Sequence, residues 1–263
     1  MPRFSANLSM LFAELPFPER FGAAARVGFR AVEFLFPYEY GAEDLRDVLG
    51  HASLALDLFN LPAGDWSAGE RGMAVLPERR AEFRQGVDTA VRYATELGTR
   101  KLNCLVGLRD GSLPWDDQYE CAVENLRWAA QQVAGSGITL HIEQLNPIET
   151  PGFFVDSLGV AERMLADVGS PHLRLQFDVY HVQRTQGNVL ATLRRLIDRV
   201  GHVQIADSPE RGEPGSGELA YGRILSELDQ LGYGGRVGLE YRPTVPTDES
   251  FRWVTEYGWR IDV

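Results

Sequence analysis

Along the chain, short runs of apolar residues spaced at every second position alternate with longer segments whose apolar residues recur every three or four positions. The first spacing is that of a strand and the second that of an amphipathic helix. Their regular alternation predicts repeated βα units on a parallel sheet. Strands are expected at Phe4 to Ser9, Ala31 to Phe36, Leu54 to Phe59, Lys101 to Val106, Ile138 to Ile142, Leu173 to Phe177, His202 to Ala206 and Arg236 to Leu239. Helices are expected over Arg20 to Val27, Ala42 to His51, Glu78 to Leu97, Asp116 to Ala134, Asp156 to Val168, Asn188 to Arg199 and Tyr221 to Leu231, with a closing helix after Pro246. Gly28 and Gly98 occupy helix C-cap positions, and Asp156 or Ser157 an N-cap position. Roughly eight strands, each followed by a helix, is the number that closes into a (β/α)8 TIM barrel. No linker interrupts the rhythm, so residues 1–263 are expected to form one domain.

Two irregular stretches stand out, Asn60 to Pro77 and Asp207 to Glu218. Loops this long in a compact domain are usually functional or disordered, and Trp66 and Met73 argue against disorder in the first. It is expected to fold over the barrel mouth. The length of 263 residues and the 44% hydrophobic content suit a single barrel domain. The formal net charge is −11 and the basic residues form no run, which disfavours a nucleic-acid partner or an anionic membrane. The expected ligand is a small molecule. Cys104 and Cys121 lack a metal-type spacing and are read as reduced thiols. Asn7, Glu14 and Pro16 break up any signal-like run, and no stretch reaches the ~18 apolar residues of a membrane span. A cytoplasmic location is expected, and the oligomeric state is left open between monomer and homo-oligomer.

The chemistry centres on "ITLHIEQ", Ile138 to Gln144, a strand pattern that follows glycines 135 and 137 and ends on Glu143. Catalytic residues of such barrels stand at the C-terminal ends of the strands. Four late strands deliver an oxygen ligand there: Glu143, Asp178, Gln204 and Glu240, each about one βα unit from the next. One strand-end carboxylate alone reads equally well as a helix cap or a surface ion pair. Three carboxylates and an amide oxygen together suit a hard divalent cation, Mg²⁺ or Mn²⁺. Residues two positions earlier share the same face, which places His141, Gln176, His202 and Gly238 in a layer beneath. His141 and His202 are read as supports that orient the ligands, against the alternative of hydrogen-bonded core histidines. Arg71 and Arg211, one in each long loop, are candidates for a substrate carboxylate, and His181 for the substrate or metal. Glu33 is read first as a buried hydrogen-bonding residue, and Lys101 as facing away from the chemistry.

Six stretches together carry a resemblance: "ANLSMLF" (Ala6 to Phe12), "GFRAVEFLFPY" (Gly28 to Tyr38), "NLPAGDWSAGERG" (Asn60 to Gly72), "FDVYH" (Phe177 to His181), "HVQIADSPERGEPGSGE" (His202 to Glu218) and "GLEYRP" (Gly238 to Pro243). The chain resembles the hydroxypyruvate isomerase family of the xylose-isomerase-like barrels. The resemblance implies that Glu143, Asp178, Gln204 and Glu240 bind a divalent metal and that Glu143 and Glu240 are also the proton-transfer pair. It further implies interconversion of hydroxypyruvate and 2-hydroxy-3-oxopropanoate (tartronate semialdehyde) through an enediol, in glyoxylate metabolism. Related keto-sugar epimerases have histidine at the position of Gln204, and a sister branch acting on 2-oxo-tetronates usually has a different loop after the third strand. Three alternatives stay open: a 2-oxo-tetronate isomerase or keto-sugar isomerase or epimerase; a metal-dependent phosphodiesterase, which five histidines and the acidic balance oppose; and a non-catalytic sugar-acid binding protein.

Overall fold

The computed structural model describes residues 2–261. Its strands are β1 (Arg3–Asn7), β2 (Ala31–Glu33), β3 (Ala55–Asn60), β4 (Lys101–Cys104), β5 (Thr139–Glu143), β6 (Leu173–Asp178), β7 (Val200–Ile205) and β8 (Arg236–Leu239). They follow one another from β1 to β8 as a closed parallel barrel. Parallel neighbours cannot be joined by a hairpin, so intervening helices make the crossovers. By internal contacts the chain forms two compact units, residues 1–57 with 177–263, and residues 58–176.

In the first unit the helices are α1 (Phe17–Val27), α2 (Ala42–Ala52), α6 (Val179–Thr185), α7 (Val189–Leu196), α8 (Tyr221–Gln230) and α9 (Arg252–Glu256). Helix α1 starts three residues before the sequence expectation. Pro18 lies in its first turn, where a missing N–H costs no helical bond. Gly28 ends it with φ 114°, a left-handed conformation that glycine adopts without strain. Phe17 and Phe21 meet Phe34 edge to face, with centroids 5.5 and 6.0 Å apart. Strands β1 and β2 are shorter than expected, because side chains take over the backbone donors past their ends. Asn7 Oδ1 accepts the Ser9 N–H at 3.1 Å and Ser9 Oγ accepts the Leu35 N–H at 2.8 Å. Helix α6 adds to the elements the pattern predicts. Asp178 ends β6 and its Oδ1 accepts the Tyr180 N–H at 2.8 Å, so the strand passes directly into a capped helix.

The second unit holds α3 (Arg80–Leu97), α4 (Trp115–Ala134) and α5 (Leu158–Val168), with α4 packed against both others. Ser157, not Asp156, caps α5, and Gly98 ends α3 at φ 72°. Strand β4 stops at Cys104, two residues short of the expectation. The backbone beyond it serves the long loop: the Val106 carbonyl accepts from Val75 N at 3.1 Å. At the other end of the loop, Leu61 N donates to the Asn103 carbonyl at 2.8 Å. Gly72, at φ 113°, presses so closely on this edge that a Cβ would lie 1.8 Å from the Leu105 carbonyl oxygen. With Met73, Ala74 and Val75 buried, the loop is an ordered layer on the C-terminal side of β4. Among the described residues no helix is long and apolar enough to cross a membrane. Cys104 and Cys121 are free and buried.

Candidate metal and catalytic site

Glu143 and Asp178 close β5 and β6, Gln204 is the next-to-last residue of β7, Glu240 follows β8 by one residue, and all four are buried. In the first unit, Asp178, Gln204 and Glu240 share a polar network with residues from β1 and β2. Glu240 Oε2 receives Arg211 Nη2 at 2.6 Å, and its Oε1 receives Asn7 Nδ2 at 3.2 Å. The same guanidinium lies 3.8 Å from Asp178 Oδ2. Gln204 Nε2 donates to Glu33 Oε1 at 2.7 Å. Burial pushes the Glu240 carboxyl up to about 8; Arg211 opposes this, while Asp178 and Glu33 add to it.

In the second unit, Glu143 Oε2 accepts from Gln176 Nε2 at 2.9 Å and from Asn103 Nδ2 at 3.2 Å. Strand pairing sets Gln176 directly opposite Glu143, and Asp178 lies two residues further along β6 on the same strand face. His141 Nδ1 contacts the Leu102 carbonyl of β4 at 3.1 Å. A backbone carbonyl of this kind fixes an imidazole's orientation.

The residues expected to bind substrate lie in different surroundings. Arg211 is buried and held at φ 61° in its loop, with its carbonyl accepting Arg242 N at 2.7 Å and its side chain on Glu240 and Asp178. Arg71 is half-buried, its guanidinium 3.8 Å above the Trp66 ring and donating to the Trp66 and Glu70 carbonyls. His181 is buried in α6 with Nε2 3.6 Å from Asp178 Oδ2. Burial, reinforced by Arg211, holds its imidazole well below the usual range, so the ring is neutral near pH 7. Four polar partners escaped sequence reasoning: Ser5, Asn7, Asp57 and Asn103. The available signal was parity. Ser5 and Asn7 share one face of β1, and Asp57 is a lone charge inside an apolar strand.

The donor set fits a hard cation. Carboxylates and amide oxygens are gathered at strand ends, out of water, and in the first unit Asp178 and Glu240 share a single guanidinium. Buried carboxylate and histidine groups of the type that hold metals are present, among them Glu33, Asp57 and His202, whose ligand atoms lie within 4.8 Å of one another.

A family model described as xylose isomerase-like TIM barrel matches residues 21–257. Hydroxypyruvate isomerase of Escherichia coli is 47% identical over 257 residues, which is 98% of this chain and 100% of that protein. The chain belongs to the hydroxypyruvate isomerase family of xylose isomerase-like TIM barrels. A family member from Cupriavidus necator, 2-oxo-tetronate isomerase, is 44% identical over 261 residues, covering 98% of this chain and 99% of that one. Among solved structures, AP endonuclease, family 2 from Brucella melitensis superposes with a TM-score of 0.92 at 42% identity, over 98% of this chain and 99% of that one. The family's barrel is the closed fold expected from the hydrophobic pattern.

Proposed function

We propose that this protein is an aldose–ketose isomerase that interconverts hydroxypyruvate and 2-hydroxy-3-oxopropanoate. The observation that carries this reading is the 47% identity, end to end, with a hydroxypyruvate isomerase. In the proposal, Glu143, Asp178, Gln204 and Glu240 hold one divalent ion, Mg²⁺ or Mn²⁺. When bound, such an ion stabilises negative charge on the substrate oxygens as a Lewis acid. Glu143 and Glu240 move the carbon-bound proton: one takes it from the carbon beside the carbonyl, the other delivers a proton to the former carbonyl carbon of the enediol, and the hydroxyl proton passes to the former carbonyl oxygen. Arg211 and Arg71 are the proposed contacts for the substrate carboxylate, since guanidinium pairs with carboxylate bidentately. His181 offers a neutral N–H near Asp178. His141 and His202 act as supports that fix neighbouring polar groups. The unit of function is one barrel domain in the cytoplasm, where two free buried thiols remain reduced.

The 44% identity with a 2-oxo-tetronate isomerase favours a second reading with the same proton transfer on a longer oxo acid. Turnover of both substrates measured side by side with Mn²⁺ separates them. A higher kcat/KM for hydroxypyruvate is expected. A preference for the 2-oxo-tetronate would reassign the substrate, and turnover of neither would overturn the isomerase reading.

A further inference from the structure

Within the first unit, Glu33 is fully buried at the end of β2, and its two carboxylate oxygens receive four donors. Oε1 accepts from Gln204 Nε2 at 2.7 Å and Asn7 Nδ2 at 3.2 Å. Oε2 lies 2.9 Å from His202 Nε2 and accepts from Ser5 Oγ at 3.1 Å. That fills the roughly four acceptor sites of a carboxylate. The arrangement makes Glu33 a hub of hydrogen bonds. On its far side, His202 Nδ1 lies 3.7 Å from Asp57 Oδ2, and Ser5 Oγ reaches the same oxygen at 3.4 Å.

Two features connect this hub to the strand ends. A carboxylate at full acceptor capacity can only be met by the –NH₂ side of the Gln204 amide, so the planar amide is locked with its oxygen turned away from Glu33. Asn7 Nδ2 also spans Glu33 Oε1 and Glu240 Oε1, both at 3.2 Å, so Glu240 is tethered to the same carboxylate. Room for the hub comes from β8. A Cβ on Gly238 would stand 2.4 Å from Glu33 Oε1, so any larger residue there would expel the carboxylate. Strand pairing sets Gly238 opposite both Ser5 and Gln204, which places the gap at the centre of the network.

We propose that Glu33 is a positioning residue: it sets which atom of the Gln204 amide is presented as a ligand and, through Asn7, fixes the direction of Glu240. The proposal rests on the reading of Gln204 and Glu240 as metal ligands given above. Groups that orient first ligands typically govern 10–100-fold in metal affinity.

The test is a Mn²⁺ titration of the chelator-stripped full-length protein, following free Mn²⁺ by electron paramagnetic resonance, with a thermal melt of each variant. Glu33→Gln keeps the shape but lets the two amides pair in either sense, and is expected to raise the Mn²⁺ Kd 10–100-fold. Gln204→Glu places a harder ligand at 204 but opposes it to Glu33, and is expected to bind no more tightly than wild type. The double variant Glu33→Gln/Gln204→Glu restores a donor facing an acceptor with the polarity reversed, and should return Kd to within about threefold of wild type. A merely structural role would lower the melting temperature of Glu33→Gln without this rescue of affinity. Should Glu33→Gln fail to fold, Gln204→Glu decides: tenfold tighter binding would overturn the proposal, and binding at or below the wild-type level supports it. Equal affinity of folded Glu33→Gln and wild type overturns this inference alone. A wild-type protein without Mn²⁺ affinity overturns the metal reading and this inference with it.

Discussion

A Glu→Gln exchange at 143 or 240 keeps the side chain's shape and part of its hydrogen bonding while removing its ability to accept a proton. Each is expected to lower kcat by about 10²–10⁴-fold with the circular dichroism spectrum unchanged; near-wild-type turnover in both variants would dismiss the pair as the proton carriers. Glu240 carries a second consequence. Its carboxyl titrates near 8 in the folded protein against an ordinary value of 4.5, so between these values the folded chain keeps a proton that the unfolded chain has lost. Stability from this group is therefore full below pH 4.5, falls as pH rises towards 8, and levels off above. In protein stripped of divalent ions by chelation, the melting temperature of wild type should decline across this window relative to Glu240→Gln. Parallel curves would contradict the assignment. The strand ends were legible at this scale because position along a strand specifies which residues stand at its C-terminal end. Asn7, Asp57 and Asn103 were not, since their roles come from hydrogen bonds to residues distant in sequence, 233 positions apart for Asn7 and Glu240.

Among the elements, the loop after β3 shows how a stretch without periodicity becomes ordered. It is fixed at one end by the Asn103 carbonyl of β4, near the other by the Val106 carbonyl just beyond that strand, and in the middle by Gly72, which combines a positive φ with close backbone contact. Gly72→Ala meets both obstacles, and should destabilise the protein by more than about 1 kcal/mol. A lowered melting temperature, with faster tryptic cleavage at Arg71, is the expected result; an unchanged melt would mean that the loop is not held in this way. The existence and type of each major element were readable from periodicity. The ends were less so: β1 and β2 close early because Asn7 and Ser9 hydrogen-bond to nearby backbone, and α6 appears because Asp178 caps it. These are local competitions between a side chain and the strand ladder, which a two-letter pattern of apolar and polar positions does not register.

For the molecule as a whole, the closed strand order and the end-to-end similarity to a hydroxypyruvate isomerase agree on one barrel fold. Net charge is −11, so an anionic substrate approaches against the long-range field and depends on local cations. Chelation is expected to abolish isomerase activity, and added Mg²⁺ or Mn²⁺ to restore it. Full activity after exhaustive chelation, with metal content checked by mass spectrometry, would remove the divalent ion from the mechanism.

By itself the sequence determined the succession of βα units, the acidic and oxygen-rich character of the strand ends, and the two glycine-bearing loops, because each is written in local spacing and residue type. Only the tertiary structure decided which of these groups face one another. It put Arg211 on Glu240, spread Arg71 over Trp66, and set Glu33 into the gap that Gly238 leaves. The physical reason is that hydrogen bonds and ion pairs depend on distances of a few ångströms, and it is the closing of the sheet that brings strands from opposite ends of the chain within that range.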